Sequence, residues 1–127
     1  TALTAMPGAS AYFKGGIIAY ETAQKTTQLG VSKELIEQHS VVSEPVVAAM
    51  ALGVQKSMNS DFAIATTGNA GPTKGDSEVP VGTVCIGIAT PKQVFTHTFS
   101  MGNHRERIVQ KTVNKAFELL QKEIIKF

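Results

Sequence analysis

The chain has 127 residues, of which 43% are hydrophobic, and its formal net charge is +2. These values predict one globular domain and exclude a disordered chain. The basic residues are scattered rather than clustered, which argues against a nucleic-acid footprint. The single cysteine excludes an internal disulfide and a cysteine-based metal site. No apolar run is long enough to cross a membrane and no signal peptide is visible, so we expect a cytoplasmic protein.

Hydrophobic periodicity and capping residues predict alternating helices and strands. Two antiparallel strands are expected to meet across the turn Thr90-Pro91-Lys92. This pattern is typical of a three-layer α/β/α sandwich with a mixed β-sheet. The predicted elements, in chain order, are a helix tail at Ala2–Met6, a buried strand at Gly15–Tyr20, helices at Thr22–Leu29 and Lys33–Gln38, a helix from Ser43 to Ser57, strands at Phe62–Thr66, Val81–Ala89 and Gln93–Phe99, and a final helix at Arg105–Ile125.

A glycine-rich loop joins two predicted strands within Asp61–Val84. It contains Gly68, Gly71 and Gly75, together with Pro72. Glycines permit positive φ and a close approach to a ligand, and successive N–H groups in such turns form anion-binding concavities. The loop therefore suggests a ligand that carries a phosphate or a carboxylate, although such clusters are first of all turns.

Ser10, Tyr20 and Lys25 are candidates for nucleophilic catalysis. A serine hydroxyl needs a base, and a lysine with a lowered pKa acts as one in Ser–Lys pairs on several folds. Tyr20, at the end of the predicted strand, is placed to relay the proton. On spacing alone, the favoured interpretation is a turn serine, a half-buried tyrosine and a solvated lysine.

The histidines show no metal-ligand spacing and are interpreted as structural or surface residues. His104, next to Arg105, is placed to line a ligand site. Arg105 and Arg107 are better candidates for anion contact, because a guanidinium binds phosphate in a bidentate manner. The simpler interpretation of both arginines is a charged helix surface.

Several long motifs occur together in a distinctive order, and together they resemble the CinA C-terminal domain family of bacterial nicotinamide mononucleotide (NMN) amidohydrolases. The resemblance extends from Leu3 to about Leu120. The motifs are LTAMPGASAYFKGGIIAYETAQK, LGV, SVVSEPVVAAMALG, TTGNAGPTKGDSEVPVGTV and GNHRERI.

The resemblance implies an α/β/α fold and removal of ammonia from the carboxamide of NMN, without a metal or cofactor. It implies a catalytic set of Ser10, Tyr20 and Lys25, with Ser10 as nucleophile and Lys25 as base. Backbone N–H groups near Ser10 or at Gly15 and Gly16 are then expected to stabilise the oxyanion. The residues expected to bind the nucleotide are Thr67, Gly68, Asn69, Ala70, Gly71 and Arg105.

The chain departs from the family pattern at three places. The helix and strand that usually precede the first motif are absent, so we expect residues 1–127 to be an N-terminally truncated domain. Glu21-Thr22 replaces the usual Ser-Asn, and Ile108-Val109 replaces an Ile/Val-Arg pair. The last two changes weaken the expected ligand contacts, not the catalytic set.

Two other functions stay open at the sequence level. One is a non-catalytic nucleotide-binding or regulatory module, because a fold does not determine a function. The other is an amidohydrolase with a different substrate, since no residue specifies the nicotinamide ring. The expected partner is a small-molecule nucleotide, not a nucleic acid or a membrane, and we expect a homo-oligomer, specifically a dimer.

Overall fold

A computed structural model of the chain describes residues 2–5, 7–19, 22–71 and 79–127. These residues form four α-helices, three β-strands and two short 3-10 turns. The 3-10 turns are Ala2–Thr4 and Ala9–Ala11; the longer elements are α1 (Thr22–Leu29), α2 (Lys33–His39), α3 (Glu44–Met58), β1 (Ala63–Gly68), β2 (Thr83–Ala89), β3 (Val94–Ser100) and α4 (Arg105–Ile125).

Serine caps fix the start of two helices. The Ser32 side chain accepts a hydrogen bond from the Leu35 backbone N–H at 3.1 Å, and α2 begins at the next residue. The Ser43 side chain accepts from the Val46 N–H at 3.4 Å in the same way at the start of α3. Each cap satisfies one of the free N–H groups that open a helix.

The three strands form an antiparallel sheet in the order β1-β2-β3. The predicted turn between β2 and β3 is confirmed, and Thr90 organises it. The Thr90 hydroxyl accepts from the N–H groups of Lys92 and Gln93 at 3.2 and 3.0 Å. Strand β2 is central, and all its residues after Thr83 are buried.

One helical layer covers each face of this sheet. On one face, α3 packs with Val47, Met50 and Ala51 against inward side chains of β1 and β2. On the other face, α4 packs with Ile108 and Ala116 against Val84, Ile86 and Ile88 of β2. The α/β class and its three layers are therefore confirmed. All strand pairs among the described residues are antiparallel; a parallel neighbour that would make the sheet mixed is not among them.

The predicted buried strand at Gly15–Tyr20 is wrong for its described residues. Residues 15–19 pair with no strand within the described part of the chain, and Tyr20 lies outside the described residues. Ile17 and Ala19 pack against the α3 side of the core, whereas Ile18 between them is 91% exposed. Alternating burial of this kind is typical of a strand, but a strand also needs a hydrogen-bonding neighbour.

Helix α4 buries only part of its apolar face. Ile108 and Ala116 are buried, but Val113 and Ile124 are 37% and 46% exposed. Both exposed residues line a cavity beside β1. The helix therefore extends past the edge of the sheet that it covers.

Candidate functional site

A cavity of about 1200 Å³ lies along the edge of β1, between the two helical layers. Its volume exceeds the roughly 300–1,000 Å³ of most small-molecule sites. Apolar side chains of both layers form most of its walls. They include Met50, Val54 and Met58 of α3, and Val113, Phe117 and Ile124 of α4.

Lys25, on α1, is one of the residues that line this cavity. The residue is only 7% exposed, and its Nζ donates a hydrogen bond to the Ala19 carbonyl at 3.2 Å. None of the ion pairs among the described residues includes Lys25. Burial therefore lowers the pKa of Lys25 from its usual value, because desolvation penalises the charged ammonium. An amine in this state is suited to accept a proton from a nucleophile.

The glycine loop also lines the cavity, from Thr67 to Gly71. The Thr67 hydroxyl donates to the Val41 carbonyl at 3.1 Å, and the Asn69 side chain bonds to two backbone groups of the loop. Both residues are 7% exposed. Their side chains therefore shape the loop, and the predicted anion concavity depends on backbone groups and neighbouring cations.

Arg105 is one of these cations. It is the first residue of α4, it lines the cavity, and its Nη1 donates to the Gly71 carbonyl at 2.7 Å. A guanidinium has five N–H donors, and the bond to Gly71 uses one of them within the described part of the chain. Arg107 does not line the cavity. The structure thus places Arg105, and not Arg107, at the cavity.

Of the three predicted catalytic residues, the structure describes Lys25 and Ser10, and only Lys25 lines the cavity. Gly15 and Gly16 line the cavity with Lys25. Ser10 lies exposed on the 3-10 turn Ala9–Ala11, is not part of the cavity lining, and forms no hydrogen bond with Lys25. Tyr20 falls outside the described residues. The roles of Ser10 and Tyr20 stay predictions.

The turn before α3 also forms part of the cavity wall, although the sequence did not predict this. Ser40 has a φ of 73°, which is uncommon for a residue with a side chain, and its buried hydroxyl has no partner among the described residues. The carbonyl of the next residue, Val41, accepts a hydrogen bond from the Thr67 hydroxyl. Val41 and Val42 both line the cavity. The motif SVVSEPVV contains this turn, but residue types alone do not indicate the unusual φ.

The described residues contain no group of three or more His, Cys, Asp or Glu side chains arranged to hold a metal ion. In the same part of the chain, every helix is too short or too polar to cross a membrane.

Replacement of Gly71 by alanine is expected to destabilise the protein. Gly71 has a φ of +74°, and a Cβ there would lie 2.7 Å from Cγ1 of Val81. Positive φ costs about 1–2 kcal/mol for a residue with a Cβ, and overpacking adds about 1–3 kcal/mol. Thermal unfolding should show the loss, with Gly8→Ala as the control, since Gly8 also has positive φ but no described neighbour within 4 Å of an added Cβ. Equal melting temperatures for the two variants would contradict the packing argument.

The sequence of residues 1–124 matches the family model described as CinA C-terminal domain. A CinA-like protein of Flavobacterium psychrophilum is 51% identical over 124 residues, which are 98% of this chain and 30% of that protein. A CinA-like protein of Fervidobacterium nodosum is 42% identical over 121 residues, again 30% of its length. The chain thus spans less than a third of these relatives.

Solved structures agree with the sequence matches. A CinA superfamily protein of Klebsiella pneumoniae superimposes with a TM-score of 0.93 at 29% identity, over 99% of this chain and 79% of that one. A competence/damage-inducible protein of Agrobacterium tumefaciens gives 0.90 at 34% identity, over 95% of this chain and 74% of its own. The fold described above is therefore that of these proteins, although each of them is longer.

Proposed function

The chain belongs to the CinA C-terminal domain family, and we propose that it acts as an amidohydrolase that converts NMN to nicotinic acid mononucleotide and ammonia. The observation that carries this proposal is the buried residue Lys25 in the lining of the cavity. A desolvated lysine that has no acidic partner among the described residues is unusual in a surface helix, and lowered lysine pKa values are characteristic of catalytic bases.

In the proposed reaction, the Ser10 hydroxyl attacks the carboxamide carbon of NMN and Lys25 accepts the hydroxyl proton. Backbone N–H groups near Ser10, or at Gly15 and Gly16, stabilise the oxyanion. Ammonia leaves with a proton that Tyr20 helps to deliver, and an acyl-serine ester remains. Water then attacks this ester, which releases the carboxylate product and restores the hydroxyl. Because Ser10 lies outside the cavity wall, the first step requires the turn that carries it to approach Lys25.

The phosphate of the substrate is proposed to lie against the glycine loop, beside Arg105. Among the described residues, one of the five guanidinium donors is used, and charge-assisted bonds to phosphate are about twice as strong as neutral ones. The proposed location is the cytoplasm, where the thiol of the free, buried Cys85 stays reduced.

A non-catalytic nucleotide-binding module is the second candidate, and the exposed position of Ser10 favours it. Incubation of the intact protein with NMN separates the two functions. Equimolar ammonia and nicotinic acid mononucleotide support the amidohydrolase. Binding of NMN without either product supports the module, and absence of binding rejects both.

We further propose that the cavity is partly filled by an additional β-strand from polypeptide of the same protein outside residues 1–127. One edge of β1 has no partner strand among the described residues. Across the cavity, residues 15–19 show strand-like alternation, and α4 extends over the gap. The solved relatives are longer than this chain, which provides a source for the strand.

Ile18→Asp in the full-length protein tests this strand. Ile18 is 91% exposed in residues 1–127 alone, where the substitution would have little effect. With the strand in place, the side chain is covered, and the variant should melt about 5–10 °C lower. Leu52→Asp is the control, because Leu52 is 46% exposed on α3 and does not line the cavity. Equally small shifts for both variants would reject the strand.

A further inference from the structure

The side chain of Asn69 links the two ends of the glycine loop. Its Nδ2 donates to the Val79 carbonyl at 3.3 Å, and its Oδ1 accepts the Gly71 N–H at 3.3 Å. The backbone N–H of Asn69 donates to the Thr83 carbonyl at 3.0 Å, and the backbone carbonyl of Asn69 accepts from the Gly82 N–H at 2.6 Å. These bonds use the side-chain amide and both backbone polar groups of Asn69, and the residue is only 7% exposed. Its polar groups therefore bind the protein rather than a ligand.

A chain of contacts connects Asn69 to the cation of the site. The bond from Gly71 N–H to Asn69 Oδ1 is an Asx turn, which fixes the backbone two residues on. Gly71 is held at a φ of +74°, and its carbonyl accepts Nη1 of Arg105 at 2.7 Å. The direction of that carbonyl therefore depends on Asn69, and the orientation of the guanidinium depends on the carbonyl.

We propose that Asn69 is a positioning residue for recognition of a phosphate monoester, and that it acts through Gly71 on Arg105 without touching the substrate. This inference rests on the proposed function only in its choice of nucleotide. A purely structural role for Asn69 would instead affect all ligands of the cavity equally.

A double-mutant cycle on the intact protein tests the proposal through binding, without any need for turnover. Dissociation constants for NMN and for nicotinamide riboside, which lacks the phosphate, are measured by calorimetry. Arg105→Ala is expected to weaken NMN binding about 10–100-fold, and riboside binding less than about threefold. Asn69→Ala should weaken NMN binding about tenfold with the same selectivity. The double variant should bind NMN within about twofold of Arg105→Ala alone, because Asn69 acts through that arginine.

The variant Asn69→Ser tests whether a conservative substitution preserves part of the NMN affinity. A serine hydroxyl also accepts the N–H two residues on, although it cannot reach Val79 as the amide does. Its NMN affinity should lie between those of the wild type and Asn69→Ala. Additive losses in the double variant, or equal losses for both ligands, would overturn the proposal. Failure of both Asn69 variants to fold would also overturn it, since the residue would then serve folding alone.

The result also separates this inference from the proposed reaction. Selective, non-additive losses in a protein that releases no ammonia would reject the amidohydrolase and retain Asn69 as a positioning residue. Equal affinity of the wild type for NMN and the riboside, or binding of neither, would overturn the inference whatever the outcome of the product assay.

Discussion

Lys25→Met in the intact protein is expected to reduce ammonia release from NMN by about 10²–10⁴-fold, the usual contribution of a general base. Methionine fills a similar volume but cannot accept a proton. Lys33→Met is the control, because Lys33 is an exposed lysine at the start of α2. Steady-state rates at saturating NMN measure the effect. Retention of most of the activity by Lys25→Met would remove this lysine from the mechanism.

The same substitution should change how stability depends on pH. Burial lowers the folded-state pKa of Lys25 below 10.5, so the unfolded chain binds this proton more tightly than the folded chain. In the wild type, this group therefore adds stability as the pH rises through the folded-state pKa towards 10.5. That increment should be missing in Lys25→Met and present in Lys33→Met, as chemical denaturation at several pH values would show. An unchanged increment in Lys25→Met would contradict the assigned shift.

Ser10→Ala should lower ammonia release by at least about 10³-fold, because loss of a serine nucleophile removes the covalent route. Its melting temperature should stay close to the wild type, since Ser10 is exposed and surface changes rarely exceed about 0.5 kcal/mol. Ser57→Ala, an exposed serine on α3, is the control. Near-normal release by Ser10→Ala would exclude Ser10 as nucleophile and favour a hydroxyl or water elsewhere in the cavity.

Local signals in the sequence predicted most elements of the fold. The bounds of α1 and α4 agree with the prediction, and the caps at Ser32 and Ser43 set the starts of α2 and α3. These features depend on residues within one or two turns, so a single sequence contains them. The strand predicted from residue 15 failed because pairing depends on a neighbouring strand, which local composition does not reveal.

The candidate site was less predictable than the fold. Lys25, Arg105 and the loop from Thr67 to Gly71 all line one cavity, and their functional roles stay predictions. The exposed position of Ser10 and the hydrogen bonds of the Asn69 side chain were not predicted. Both depend on tertiary contacts, namely the path of the chain before α1 and the approach of Val79 to the loop. For Asn69, the sequence did contain a signal: an asparagine two positions before a glycine favours an Asx turn.

The pH dependence of ammonia release from NMN by the full-length protein tests the central claim most directly. The claim predicts that ammonia forms, that the rate rises with pH along a limb below the usual lysine pKa of 10.5, and that this limb is lost or displaced in Lys25→Arg. Absence of ammonia at every pH, or a profile that Lys25→Arg leaves unchanged, would contradict an amidohydrolase that uses buried Lys25 as its base.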